Sequence, residues 1–242
     1  MTVATGPVWF QLYVLKDRVL TASLVKRAEA AGCKAIVLTV DLAAPGKRER
    51  DILNRFRLPD HLTAKNLWPA GLRELPKSAA DYGMAHTIAT LFDAALTWKD
   101  IEWLAGLTKL PILVKGILRP DDALLAVKHG ASGLVVSNHG GRQLDTTPAT
   151  ISVLPGIVDA VAGAIEVYVD GGIRRGTDVL KAIASGARAV FVGRPVLWGL
   201  ASFGEAGVKY VLEMMRQEFD TAMAPSGCPT LNSITRDLLW RA

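Results

Sequence analysis

The stretch Ser137-Asn138-His139-Gly140-Gly141-Arg142-Gln143 sets an imidazole and a guanidinium three residues apart, directly after the apolar run Gly133-Leu134-Val135-Val136. A plain turn needs the two glycines between them but neither flanking side chain. Histidine changes charge near neutral pH and can take a proton from a reacting centre. A planar guanidinium holds a carboxylate through two parallel hydrogen bonds, which fixes the neighbouring carbon in space. The pair therefore suits proton removal from a small molecule that carries a carboxylate beside the reacting atom.

Three other places ask for an anion. Lys115 follows Ile112, Leu113 and Val114, and a lysine at the end of a buried strand needs a negatively charged partner. The segments Asp170-Gly171-Gly172-Ile173-Arg174 and Gly193-Arg194-Pro195 each join glycine to arginine. Glycine lets the backbone N–H groups approach a phosphate, and arginine adds charge. Two such loops in succession point to a phosphorylated cofactor.

These residues need elements to hold them. Strands are expected at Trp9–Val14, Ala35–Asp41, Ile112–Gly116, Gly133–Asn138, Glu166–Gly171 and Ala189–Arg194, each a short Val/Ile/Leu-rich run of the kind buried on both faces. Helices are expected at Val19–Ala31, Trp98–Leu107, Pro120–His129, Pro148–Val161, Thr177–Ser185 and Glu205–Ala224. The last carries an apolar stripe of Val208, Val211, Leu212, Met215, Phe219 and Met223, and Pro225 should end it. Three helices run into Ala-Gly-Cys, His-Gly-Ala or Ser-Gly-Ala, where glycine allows a left-handed cap. Repeated β–α order implies a parallel sheet. Polar side chains then gather at one end of every strand: Gln11, Tyr13, Thr39, Asp41, Lys115, Ser137, His139, Asp170 and Arg194. In a parallel barrel that end is the mouth where active sites form. The connection 42–97, with four prolines, interrupts the rhythm and is expected to be a lid or an insert.

Composition narrows the partners. The 242 residues suit one βα domain, half of them are hydrophobic, and the net charge is +5 without any basic run. That balance favours a small anionic ligand over nucleic acid. Cys33 and Cys228 lack metal-ligand spacing and are expected as packing residues, with no metal site. No apolar stretch reaches membrane-spanning length, and the first residues do not read as a secretion signal, so a soluble cytoplasmic protein is expected.

The motifs together resemble the FMN-dependent 2-hydroxy acid oxidases and dehydrogenases, a group that includes glycolate, lactate and mandelate oxidases. The resemblance rests on Ser137–Gln143 and continues through Phe10-Gln11-Leu12-Tyr13, Leu38-Thr39-Val40-Asp41, Val114-Lys115-Gly116, Asp170-Gly171-Gly172-Ile173-Arg174-Arg175-Gly176 and Val192-Gly193-Arg194-Pro195, in order along the chain. It implies a TIM-type (β/α)8 barrel, of which six βα units, the family's strands 3 to 8, are recognisable. It also implies oxidation of an L-2-hydroxy acid to the 2-oxo acid, with reduced FMN reoxidised by oxygen.

By the same resemblance, His139 is the base and Asp41 stabilises its imidazolium. Arg142 binds the substrate carboxylate, Arg48 matches a second arginine near the substrate, and Tyr13 donates to the substrate hydroxyl or carboxylate. Gln11, Thr39, Lys115 and Ser137 line the flavin. Asp170 lies near the ribityl chain, and Gly171, Gly172, Arg174, Gly193 and Arg194 hold the phosphate. The pairing of His139 with Arg142 speaks against another FMN barrel, the type 2 isopentenyl diphosphate isomerases. His61, His86 and His129 match no chemical constellation and are expected in surface or packing roles, His129 complementing a helix C-terminus.

The chain departs from the family at its start, opening on what resembles the third strand. The expectation is a single FMN-binding βα barrel domain over 1–242, truncated at its N-terminus. Its partners would be a 2-hydroxy acid and either further copies, since the family tends to tetramers, or a complementing N-terminal fragment. An inactive or flavin-binding-only fragment is the alternative reading.

Overall fold

The computed structural model describes residues 5–44, 46–56, 62, 65–66 and 91–240. Five strands form one sheet in the order β1-β2-β3-β4-β5: β1 Trp9–Leu12, β2 Ala35–Thr39, β3 Ile112–Ile117, β4 Gly133–Val136 and β5 Glu166–Val169. The pairings β1–β2, β2–β3 and β4–β5 are parallel. The helices between them are α1 Arg18–Ala30, α2 Glu49–Leu53, α3 Lys99–Ala105, α4 Pro120–Lys128, α5 Thr150–Val161, α6 Gly176–Ala184 and α7 Arg194–Met223. Two 3₁₀ turns follow, at Leu231–Ser233 and Arg236–Leu238. Among the described residues no helix is long and apolar enough to cross a membrane.

The chain divides into two compact units. The first comprises residues 1–115, 128–132 and 142–145; the second comprises 116–127, 133–141 and 146–242. In the first, Leu12, Ile36, Leu38 and Val114 of the strands and Leu24, Val25, Ile101 and Leu104 of α1 and α3 are almost wholly buried. Each such side chain contributes roughly 1.5–3 kcal/mol by leaving water. In the second, Leu134, Val135 and Val136 of β4, Val167 and Val169 of β5, and Leu154, Ile157 and Val161 of α5 form the core. Strands buried on both faces explain why these segments are continuous apolar runs rather than alternating ones.

Four of the expected strands end two residues early and the third runs one residue further, to Ile117, so Tyr13, Asp41, Ser137 and Asp170 lie on the loops just beyond the strands, as His139 does. The sixth expected strand, Ala189–Arg194, is corrected. Its start runs beside β5, with Arg188 N–H on Val167 O at 2.7 Å and Phe191 N–H on Val169 O at 2.9 Å, but only Val190 forms a bridge, to Val169. The ladder stops because Gly193 turns the chain (φ −108°, ψ −80°) and Arg194 and Pro195 already open a helix.

That helix is also longer than expected. α7 is two helices meeting at Phe203-Gly204, where Gly204 has φ +60°, and the second piece begins at the expected Glu205. The two pieces approach so closely that a Cβ on Gly199 would stand 2.6 Å from Gly207 O. Of the expected stripe, Met215 is buried, and Phe219 and Met223 pack on Ala184, Cys228 and Ile234. Leu212 is exposed instead. The helix ends at Met223, before Pro225. The three expected left-handed glycines are found at Gly32, Gly130 and Gly186. Cys33 and Cys228 are buried and are not joined by a disulfide.

Candidate active site

In the first unit, β1 and β2 lie in register, with Gln11 opposite Val37 and Leu12 opposite Leu38. Thr39 closes β2 and pairs with Lys115 of β3, whose carbonyl accepts the Val40 N–H at 2.9 Å. Parallel register is what brings these strand ends together. The Gln11 amide donates to Thr39 Oγ1 at 2.8 Å, and Thr39 is buried. The Gln11 side chain also hydrogen-bonds Tyr13, whose ring stacks on Phe92 with centroids 4.5 Å apart.

Tyr13 sits among charges. Burial, and then the Asp41 carboxylate, hold its hydroxyl proton more firmly than in a free phenol, while Arg48, the Gln11 hydrogen bond and Arg142 oppose this. Tyr13 is thus a protonated donor at neutral pH, surrounded by Asp41, Arg48 and Arg142.

Arg48 is the N-cap residue of the short helix α2. Desolvation and then the like charge of Arg142 lower its pKa, outweighing the attraction of Asp51. Among the described residues its buried Nε has no hydrogen-bond acceptor. Two guanidiniums that repel each other, one with an unused buried donor, make a site whose chemistry calls for an anion. A carboxylate would satisfy both.

In the second unit, Ser137 is completely buried and its Oγ accepts the His139 N–H at 3.1 Å. His139 itself adopts φ +56°, followed by Gly140 at +65° and Gly141 at +71°. A left-handed histidine is strained compared with glycine there, a cost of the kind found where a side chain must be aimed. Asn138 braces the turn: its amide donates to Pro148 O at 3.3 Å and its Oδ1 accepts from Gly141 N–H at 3.3 Å.

The loop after β5 is also built from the backbone. The Thr150 hydroxyl, at the start of α5, donates to Asp170 O at 2.5 Å, and Gly171 and Gly172 follow at φ +84° and +79°. A side chain at Gly171 would press on Thr150 Oγ1 at 3.3 Å, whereas Gly172 faces open space. Asp178 in the first turn of α6 accepts both the Arg174 and Arg175 N–H groups, at 2.9 and 3.0 Å. The Arg174 guanidinium lies over the Trp198 ring at 5.1 Å. Arg194 donates to Gly140 O at 2.7 Å, which ties the start of α7 to the histidine turn.

The second unit therefore collects Ser137, His139, Asp170, Gly171, Gly172, Arg174, Gly193 and Arg194. The first collects Gln11, Tyr13, Thr39, Asp41, Arg48, Lys115 and Arg142. Phe92, Asn138, Thr150, Asp178 and Trp198 were not singled out from sequence. Asp178 had a local signal, an acid in the first turn of a helix; Phe92 and Trp198 had none, because each meets its partner only through the fold. His129 has a packing role: its Nδ1 lies 2.7 Å from the Glu102 carboxylate and its ring stacks on Trp98. His61 and His86 lie outside the described residues.

The residues present fit a phosphorylated flavin. Two guanidiniums, open glycine backbone at Gly172 and Gly193, and the N-terminus of the first helical piece of α7 suit the phosphate. Gln11, Thr39 and Lys115 of the first unit offer polar groups of the kind that suit a ring edge.

Comparison with known proteins agrees. Glycolate oxidase 1 of Oryza sativa subsp. indica is 57% identical over 235 residues, which cover 96% of this chain and 63% of that protein. 2-Hydroxyacid oxidase 1 of Homo sapiens is 54% identical over 233 residues, covering 96% and 63%. A solved structure of mandelate oxidase with (S)-4-hydroxymandelic acid superposes with a TM-score of 0.86 at 47% identity, over 94% of this chain and 64% of that one. Another, of a tyrosine-to-phenylalanine variant of mandelate oxidase with the C4a-OH-FMN adduct, gives a TM-score of 0.83 at 46% identity, over 96% and 63%. The chain thus spans about 63% of the length of the curated relatives it matches. The FMN-dependent dehydrogenase family model matches residues 1–241, and the chain belongs to that family.

Proposed function

We propose that the protein oxidises an L-2-hydroxy acid to the 2-oxo acid with FMN, and that oxygen reoxidises the flavin. The observation that carries this is the meeting of Arg48 and Arg142 around Tyr13, with a buried Arg48 Nε that has no acceptor. The substrate carboxylate supplies the missing negative charge. When bound, the flavin supplies a two-electron acceptor for the α-carbon.

The remaining work falls to the chain. Arg48 and Arg142 orient the substrate by its carboxylate, and Tyr13, which keeps its proton, donates a hydrogen bond to a substrate oxygen. His139 accepts the proton released as the alcohol becomes a ketone. Gln11, Thr39, Lys115 and Ser137 hold the flavin edge, with Lys115 offsetting negative charge on the ring. Asp170 orients the ribityl chain, and Gly171, Gly172, Arg174, Gly193 and Arg194 hold the phosphate. Oxygen as acceptor is supported by the relatives, which are named as oxidases. Their names also favour glycolate and mandelate as first substrates to try, with lactate as a third.

The test is optical. Purified protein should be yellow, or become so with added FMN, and should bleach without oxygen on adding glycolate, L-lactate or (S)-mandelate. A chain that takes up no FMN overturns the proposal. One that binds FMN but never bleaches with any 2-hydroxy acid is the flavin-binding-only alternative.

A further inference from the structure

Gly46 and Gln143 flank the two arginines in sequence, and neither has a role so far. The Gly46 N–H donates to Gln143 Oε1 at 2.9 Å. At Gly46 there is no room for a side chain: a Cβ would fall 2.7 Å from Gln143 Cα and 2.8 Å from Gln143 O, and nearer still to Arg142 O. Those are backbone atoms, which cannot swing aside as the end of a side chain can. Gly46 is therefore glycine for space, because two backbones approach each other here. One carries Arg48 two residues later; the other is the backbone of Arg142 itself.

We propose that Gly46 and Gln143 are positioning residues: the seat of the Gly46 backbone against Arg142-Gln143, latched by the Gln143 amide, sets the spacing at which Arg48 and Arg142 capture a carboxylate. Both segments are loops, and α2 is only five residues long, so neither guanidinium is held by a long element of its own. Two like charges left to themselves would separate, and a latch between their backbones opposes that. Among the described residues the buried Gln143 Nε2, like Arg48 Nε, has no acceptor, so unused donors lie on both sides of the latch. The inference rests on the reading of Arg48 and Arg142 as carboxylate ligands.

The experiment uses the FMN-loaded chain and oxalate, an unreactive dicarboxylate, titrated by calorimetry. Misplacing a binding group by about 1 Å is costly, so Gly46→Ala should weaken oxalate at least about tenfold. Gln143→Met, which keeps the volume and removes the acceptor, should weaken it about threefold, the scale of one neutral hydrogen bond. Affinity for FMN should stay at the parent value in both, and KM for a turned-over 2-hydroxy acid should rise with the oxalate constant more than kcat falls. General loosening would instead weaken FMN as well. Should Gly46→Ala fail to fold, Gln143→Met decides alone. Oxalate affinity within twofold of the parent in a folded, FMN-loaded variant overturns the latch, provided Arg48→Ala and Arg142→Ala each weaken oxalate. If those two also leave it unchanged, the carboxylate reading itself fails, and the latch with it.

Discussion

Arg18 and Arg48 both belong to the first unit, and their surroundings are opposite. Arg18 bonds Asp93 at 2.5 Å and Asp100 at 2.7 Å, and its guanidinium lies over the Trp103 ring at 4.8 Å. Arg48 faces Arg142, is desolvated, and keeps a buried Nε without an acceptor. The first arrangement is complete in itself and holds structure: it fastens the start of α1 to the segment entering α3. The second is incomplete and costs free energy until an anion arrives. The two histidines also differ: His129 is paired with Glu102 and stacked on Trp98, while His139 is held in a left-handed backbone conformation. Electrostatic frustration, not charge as such, separates a site from a brace.

The largest expected effect tests the histidines. His139→Ala should slow anaerobic flavin reduction about 10³-fold, the range of a lost general base, with FMN still bound. His129→Ala should leave that rate near the parent value. A stopped-flow trace for each decides the matter, and equal losses would break the contrast.

Next come the arginines of the site. Arg48→Met or Arg142→Met should lower kcat/KM about 100-fold, near 3 kcal/mol of transition-state binding. Neither should lower the melting temperature, because each removes one of two repelling cations. A clear loss of stability would show that the pair is a structural feature after all.

Arg18→Met should do the reverse. It leaves two carboxylates together and removes the ring contact, so the fold should lose about 1–2 kcal/mol, modest because Arg18 is partly exposed. Activity per folded molecule should stay within about twofold, since no step of the chemistry needs this group. Denaturant melts beside initial rates would separate the two.

The smallest effect is a pH dependence. The Ala95 N–H above all, and then Arg18, hold the Asp93 carboxyl below its usual range, against the opposing effect of burial. A pKa depressed in the fold adds stability that is fully present above the ordinary aspartate value of about 4, and is lost as pH falls through the lower folded value. Asp93→Asn should therefore be less stable than the parent at neutral pH, with the gap closing as the solution is acidified below about pH 4. A gap that stayed constant down to the acid transition would mean Asp93 has no such role.

Much of this was legible along the chain. Short apolar runs between helical patterns marked β1 to β5, and the polar residues following them marked the site, because a parallel strand delivers its next residues to one end. The family signature was legible too. What misled was Ala189–Arg194, whose composition is that of a strand: composition cannot report that pairing stops after Val190, where the chain turns at Gly193. The helix Arg194–Ser202 was missed because its glycine and exposed leucines give no amphipathic stripe; it meets the rest of α7 through the contact of Gly199 with Gly207.

By itself, then, the sequence determined which chemical groups are present and the order in which strands present them. Local propensity and periodicity need only neighbouring residues. The tertiary structure alone decided which groups meet: Arg48 with Arg142 around Tyr13, Phe92 on Tyr13, Trp198 under Arg174, and Gly46 against Gln143. The reason is physical. Desolvation and Coulomb interaction depend on distance in space, and residues far apart along a chain acquire that distance only when it folds.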